Sequence, residues 1–429
     1  MNLMQLSRQG AHPRRSLGPL LEVPLAGVAI GELCEVFQHW RDPGPQAWAQ
    51  VVGFNAEVAL LSLLGEPQGL SRQSLVVATG APLRLHCSDD LLGAVLDARG
   101  QVVERLAPAH GRASVPYGLD NPPPHYSQRR PVRRRLGTGI RTIDTLLTCG
   151  VGQRLGIFAA AGTGKTSLLD MLVEHTEADV FVVGLIGERG REVAEFIERL
   201  RGSPRSARTV VVQASSDSPA VDRCNAALVA TSVAEYFRDR GQHVVLLIDS
   251  LSRYARARRD LALAAGEAPV RRGYPASLFE ALPRLLERPG ATVTGSISAF
   301  YTVLLESDDE PDPLAEEIRS ILDGHIYLSR ELAAKGHFPA IDVLRSTSRV
   351  AHQVCSTASI ALANQARERL ARLQGMRLLL ELGEYQSGID PLNDQALACR
   401  DALHQWLRQG TEQAVTAEDA EQALHALLV

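Results

Sequence analysis

The stretch QRLGIFAAAGTGKTSLLDMLVEHT, residues 153–176, decides how the rest of the chain is read. It opens as an apolar strand-forming run, and from Lys165 onward apolar residues return at helical spacing. Between the two lies AAAGTGKT, residues 159–166, which matches the phosphate-gripping signature G-x-x-x-x-G-K-[ST] except that Ala159 replaces the leading Gly. Gly162 and Gly164 let the backbone fold into a nest whose amide N–H groups face phosphate oxygens, and the following helix adds its positive end. Ala161 to Ser167 (Ala161, Gly162, Thr163, Gly164, Lys165, Thr166 and Ser167) form the candidate nucleotide-binding loop. Lys165 reaches for the terminal phosphates, and the Thr166 hydroxyl is a ligand for Mg²⁺. A methyl at Ala159 is tolerable where the chain leaves a strand; Ala160 and Ala161 matter only if either needs a positive φ.

Around this element the texture is constant. DVFVVGLIG, RTVVVQAS, HVVLLIDS and ATVTGSISAFY read as strands covered on both faces, separated by helical stretches such as GREVAEFIERLRG. Alternating strand and helix predicts a parallel sheet with helices on both sides. In such sheets ligands collect beyond the carboxyl ends of the strands. Glu188 and Asp249 end two of these runs, so both are expected at the same site as the loop. A carboxylate with no metal duty there polarises water, whereas one that orients the Mg²⁺ shell does not. A helix N-cap is the other role open to Asp249, and a solvated loop charge the other for Glu188.

Residues 20–106 consist of short alternating segments punctuated by Gly and Pro, the pattern of a small β-barrel, preceded by a tail over 1–19. The Pro- and Arg-rich NPPPHYSQRRPVRRRLGTG closes a segment read as a linker over 107–137 and leads into the core domain. The core domain runs over 138–350, and helical patterns fill 351–429, where Thr416 and Asp419 make a capping pair for the last helix. The expected fold class is therefore α/β, with a barrel before the sheet and a helical domain after it.

Bulk properties narrow the function. Of 429 residues, 45% are hydrophobic and 22% charged with net charge -4, which offers no basic field for nucleic acid. No apolar run approaches the roughly 20 residues of a membrane span, and the N-terminus has no signal-like apolar segment. The six cysteines are scattered without a C-x-x-C pair, which suggests neither zinc nor a disulfide framework and fits a reducing, cytosolic setting.

Four passages carry a resemblance: GIFAAAGTGKTSLL, GLIGERGREVAEF, the LLIDSLSRYARARRD run through RLLERPG, and ISAFYTVLLESDDEPDP through FPAIDVLRSTSRV. Together they resemble the ATPases of type III protein secretion, injectisome and flagellar, which are related to the catalytic β subunit of rotary ATP synthases. The likeness runs from about Val23 to the C-terminus and is most specific over residues 138–350. It implies a RecA-like core that uses ATP and Mg²⁺. Within it, Lys165 and Thr166 bind phosphates and metal, Glu188 is the general base, Arg189 lies beside the γ-phosphate, and Asp249 is the Walker B acid. Arg349, in STSRV, matches an arginine finger delivered to a neighbouring subunit; Phe338, in GHFPAIDV, matches an aromatic that packs on adenine.

The implied assembly is a homohexamer at the cytoplasmic face of the inner membrane. Its partners would be stator and central stalk proteins, the export gate and chaperone–effector complexes. Departures from the family pattern are Ala160, Ala161 and Thr163 in the loop, Ser307, and the dense cluster Arg129, Arg130, Arg133, Arg134 and Arg135, which could meet anionic lipid. Alternatives are a flagellar export ATPase and a non-catalytic nucleotide-holding subunit, the latter lacking a Glu at the position of Glu188. An RNA translocase would need an aromatic-rich platform, and aromatics are only 5% of this chain.

Overall fold

The computed structural model describes residues 9–17, 20–65, 69–109, 111–305 and 312–428. Two compact units divide the chain, one built from residues 1–123, 182–236 and 248–288, the other from 124–181, 237–247 and 289–429. The strands Val180–Ile186 and His243–Asp249 each begin in the second unit and end in the first.

In the first unit, seven antiparallel strands lie in the order Gly10–Ala11, Leu75–Pro82, Glu32–Phe37, Ala47–Asn55, Val58–Leu64, Leu20–Val23, Arg15–Leu17. Alternation sets the faces: Cys34 and Val36 of ELCEVF point into a core with Val23, Val51, Leu61 and Val76. Glu32 shares the inward face because its carboxylate accepts hydrogen bonds from the Ala29 (3.0 Å) and Gly80 (2.8 Å) amides. Two strands inside the expected tail are thus paired. Ala94–Leu96 and Val102–Arg105, though within the stretch read as barrel, pair with each other, and the former runs parallel to Thr209–Ala214. The fully buried AVL segment has no polar face to offer a barrel, which suits a doubly covered strand.

The first part of the segment read as a linker is not free either. Val115–Gly118 pairs with Arg84–Cys87. Beyond it, Arg288, only 1% exposed, donates to the Leu119 carbonyl (3.0 Å), to Ser232 Oγ (2.7 Å) and to both oxygens of Glu235 (2.9 and 2.7 Å). Glu235 Oε2 also accepts from Asn121 (2.9 Å). A buried ion pair is tolerable when its remaining hydrogen-bonding capacity is filled in this way.

In the second unit, Arg154–Ala159 is flanked in parallel by Ser296–Leu304 and Gly324–Leu328. All three strands are almost wholly buried, as the continuous apolar runs predict. The sheet is mixed rather than purely parallel, because Ile341–Ser348 returns antiparallel to Gly324–Leu328. The chain between these two strands makes only the short helix Arg330–Ala334 and cannot supply the usual crossover helix.

The later part of the proline-rich passage is pinned by backbone bonds. The Arg130 amide donates to Ala291 O (2.9 Å), and Arg134 O accepts from the Val151 amide (2.8 Å). Arg135 pairs with Glu421 (2.8 Å) and donates to the Asp144 carbonyl, while Arg130, Arg133 and Arg134 stay exposed.

The chain closes in helices that include Thr357–Gly375, Pro391–Ala398, Arg400–Leu407 and Ala417–Leu428. The last is capped as expected, the Asp419 amide donating to Thr416 Oγ1 (3.2 Å). No described helix is long and apolar enough to cross a membrane.

Candidate active site

In the second unit, Arg154–Ala159 delivers the chain into the loop, and the helix Lys165–His175 begins at once after it. Gly162 and Gly164 have φ of +78° and +82°, the left-handed region that glycine adopts without a Cβ penalty. Ala160 and Ala161 lie outside that region, so the missing leading glycine leaves no strained alanine behind it. Ala159 is fully buried in strand pairing with Leu304 and Leu328. Thr163 closes the loop on itself, donating its hydroxyl to the Ala160 carbonyl at 2.8 Å. The helix cap, Gly164, supplies no side chain to the first-turn amides. Those N–H groups and the helix dipole together make an anion site, with the Thr166 and Ser167 side chains exposed beside it.

Phe338 belongs to the same unit and comes to this loop. A Cβ on Gly164 would lie 3.0 Å from its Cδ1 and Cε1 atoms, so the ring edge rests on the glycine. Phe338 is 42% exposed, which leaves area for a ligand. Beside it His337 is neutral at physiological pH: burial, Arg408 and His404 push its pKa down to about 4. Arg349, just past the strand Ile341–Ser348, is exposed and reaches the Arg319 carbonyl at 3.4 Å. Among the described residues no carboxylate pairs with it.

In the first unit, Glu188 and Asp249 end neighbouring strands, joined by a hydrogen bond from the Ser250 amide to Ile186 O at 3.4 Å. Gly187 bends the chain there with φ +68°, and a Cβ on it would lie 2.9 Å from Arg253 Cδ. Glu188 is 4% exposed, and Arg253 holds it in a fork, Nε to Oε1 at 3.1 Å and Nη2 to Oε2 at 3.5 Å. It is no solvated loop charge. Asp249, 5% exposed, does not cap the next helix; Ser250 does, its Oγ accepting from the Arg253 amide. Arg189, by contrast, turns outward: its side chain is 77% exposed and pairs with Glu192 at 3.4 Å. Ser307 lies outside the described residues.

Arg253 is the site residue the sequence reading missed. It occupies the first turn of the helix Leu251–Ala264, where the helix dipole opposes a cation. An arginine in that unfavourable place, four residues past a strand-ending Asp, signals an anionic partner.

Thr166, in the second unit, and Asp249, in the first, are each hard oxygen donors of the kind that Mg²⁺ takes beside water and phosphate. Among the described residues no cluster of three His, Cys, Asp or Glu offers an alternative metal site.

Comparison with known proteins agrees along the whole chain. Residues 139–348 match the ATP synthase alpha/beta family nucleotide-binding domain, residues 14–80 that family's beta-barrel domain, and residues 355–426 the T3SS EscN ATPase C-terminal domain. The chain is 55% identical over 426 residues to the SPI-1 type 3 secretion system ATPase of Salmonella typhi, covering 99% of each. It is 47% identical to the type 3 secretion system ATPase of Xanthomonas euvesicatoria, over 95% of this chain and 91% of the relative. Identity to the flagellum-specific ATP synthase of Bacillus subtilis is 43%, over 96% and 94%. The assembled ATPase EscN of enteropathogenic E. coli matches with a TM-score of 0.91 at 38% identity, covering 98% of this chain and 100% of that one. With a phosphate-gripping loop, a buried and oriented carboxylate and end-to-end similarity to these proteins, the chain belongs to the type III secretion system ATPases, enzymes that hydrolyse ATP.

Proposed function

We propose that this ATPase works as a homohexameric ring of the injectisome type, releasing chaperones from export substrates and unfolding them. Lys165 and the amides of residues 161–167 grip the phosphates, and Phe338 packs on the adenine. Thr166 and Asp249 would hold Mg²⁺, which screens phosphate charge. Glu188 takes the proton of the attacking water, kept in orientation by Arg253. Arg189 stands by for the γ-phosphate, its weak exposed pair with Glu192 costing little to break.

The observation that carries the ring is Arg349. A cation at an exposed strand end, with no carboxylate partner among the described residues, supports a finger offered to the nucleotide of a neighbouring subunit. The relative named as the assembled ATPase EscN has also been solved in complex with its central stalk EscO, which supports a stalk partner here. Stator, export gate and chaperone–effector partners, and a place at the cytoplasmic face of the inner membrane, belong to the same reading. Identity of 55% to an injectisome ATPase against 43% to a flagellar one favours the injectisome.

Mixing tests the trans geometry. Subunits carrying Lys165→Ala and subunits carrying Arg349→Ala, each inactive alone, should regain ATPase activity when co-assembled. Mixed rings that stay inactive would sink the trans finger.

A further inference from the structure

The Arg400–Leu407 helix ends in a turn around Gln409, which is 5% exposed. A buried amide is costly unless its donors and acceptor are used. Here all are. Gln409 Oε1 accepts from the Arg141 amide at 2.9 Å, and Nε2 donates to the carbonyls of Gly139 (2.7 Å) and Gln413 (2.6 Å). The same residue's backbone amide donates to the Phe338 carbonyl at 3.0 Å.

The segment that follows is tied down at two more points. The Val415 amide donates to Gly139 O at 3.1 Å, and the Thr411 carbonyl lies 2.6 Å from Nε2 of His175, the last residue of the helix that Lys165 begins. Gln409 therefore joins the C-terminal helices to the backbone of Phe338, inside one compact unit. Phe338 itself is half-exposed and rests on a bare glycine, so its ring is placed mainly by its backbone.

We propose that Gln409 is a positioning residue for the nucleotide. Its three side-chain hydrogen bonds fix the point from which its backbone holds Phe338. It thereby sets the ring above Gly164 and the affinity for the adenine base. The C-terminal helices can then alter nucleotide affinity without touching the phosphates. This rests on the assignment of Phe338 to adenine.

The test compares a ligand that has a base with one that lacks it. Calorimetric titration of the assembled protein with adenylyl imidodiphosphate and with inorganic tripolyphosphate, magnesium present, is run for wild type, Gln409→Met, Phe338→Ala and the double variant. Gln409→Met keeps the side chain's bulk without its hydrogen bonds. It should weaken the adenine nucleotide about tenfold, within what a base–aromatic stack is worth, and leave tripolyphosphate within about twofold. Retained tripolyphosphate binding also reports an intact loop. The double variant should be no worse than Phe338→Ala alone.

Gln409→Glu keeps the acceptor for Arg141 and removes both donors; it should give the same split, and serves if Gln409→Met does not fold. Wild-type nucleotide affinity in the Gln409 variants, with Phe338→Ala weakened, would overturn the inference and spare the adenine assignment. Unchanged affinity in Phe338→Ala would overturn both. Equal weakening of both ligands in the Gln409 variants would reduce Gln409 to a structural role.

Discussion

Glu188 and Arg349 serve one reaction in the proposed mechanism, yet the chain treats them in opposite ways. Glu188 is buried at a bent strand end and held by the two prongs of Arg253. The Arg349 side chain stands exposed at a strand end, its guanidinium 3.4 Å from the Arg319 carbonyl and, among the described residues, without a carboxylate partner. The difference separates what a subunit prepares within itself from what it leaves for another copy to complete. Preorganisation is worth its folding cost where the group must be rigid before substrate arrives. A finger that acts in trans gains nothing from being held at home.

That contrast can be broken most directly at Arg349. Arg349→Ala should lower kcat by about 10³–10⁵ while unfolding stability stays within about 0.5 kcal/mol of wild type. Steady-state turnover and a thermal melt on one preparation check both; a large drop in stability would mean that the arginine was already at work at home. Glu188→Gln should cost about 10²–10⁴ in turnover with ATP binding retained, and near-normal hydrolysis would remove Glu188 as base. Arg253→Met should have the smallest kinetic effect, about tenfold. Unlike the finger, it should also destabilise the fold, by about 1–3 kcal/mol, because it strips hydrogen bonds from a buried carboxylate. Urea unfolding reads that cost, and equal stability of the Arg253 and Arg349 variants would erase the distinction.

Much of this was legible in the sequence for a physical reason. The loop is local: strand, glycines, Lys165 and helix follow one another, so period and turn chemistry suffice. Glu188 and Asp249 stand out in the sequence as candidates because each closes an apolar run, and runs end where strands meet solvent or a site. Arg253 was missed because its meaning depends on a partner 65 residues away. The returning strand Ile341–Ser348 was missed because IDVLRSTS lacks the apolar run of its neighbours, its pattern mixing buried and open positions. The proline-rich passage misled for the opposite reason. Its composition looks solvated, but its backbone groups and a few of its side chains are what hold it in place.

The Arg288–Glu235 pair has a consequence for how the gene can change. Surface loops usually accept insertions, since added length costs little closure entropy. Between Leu119 and Asn121 an added residue would pull the Leu119 carbonyl or the Asn121 amide away from two buried charges. A stretch that reads as a natural splice point is thus closed to length variation on its barrel side. Tags, cleavage sites and recombined barrels will be tolerated only where they leave that register untouched.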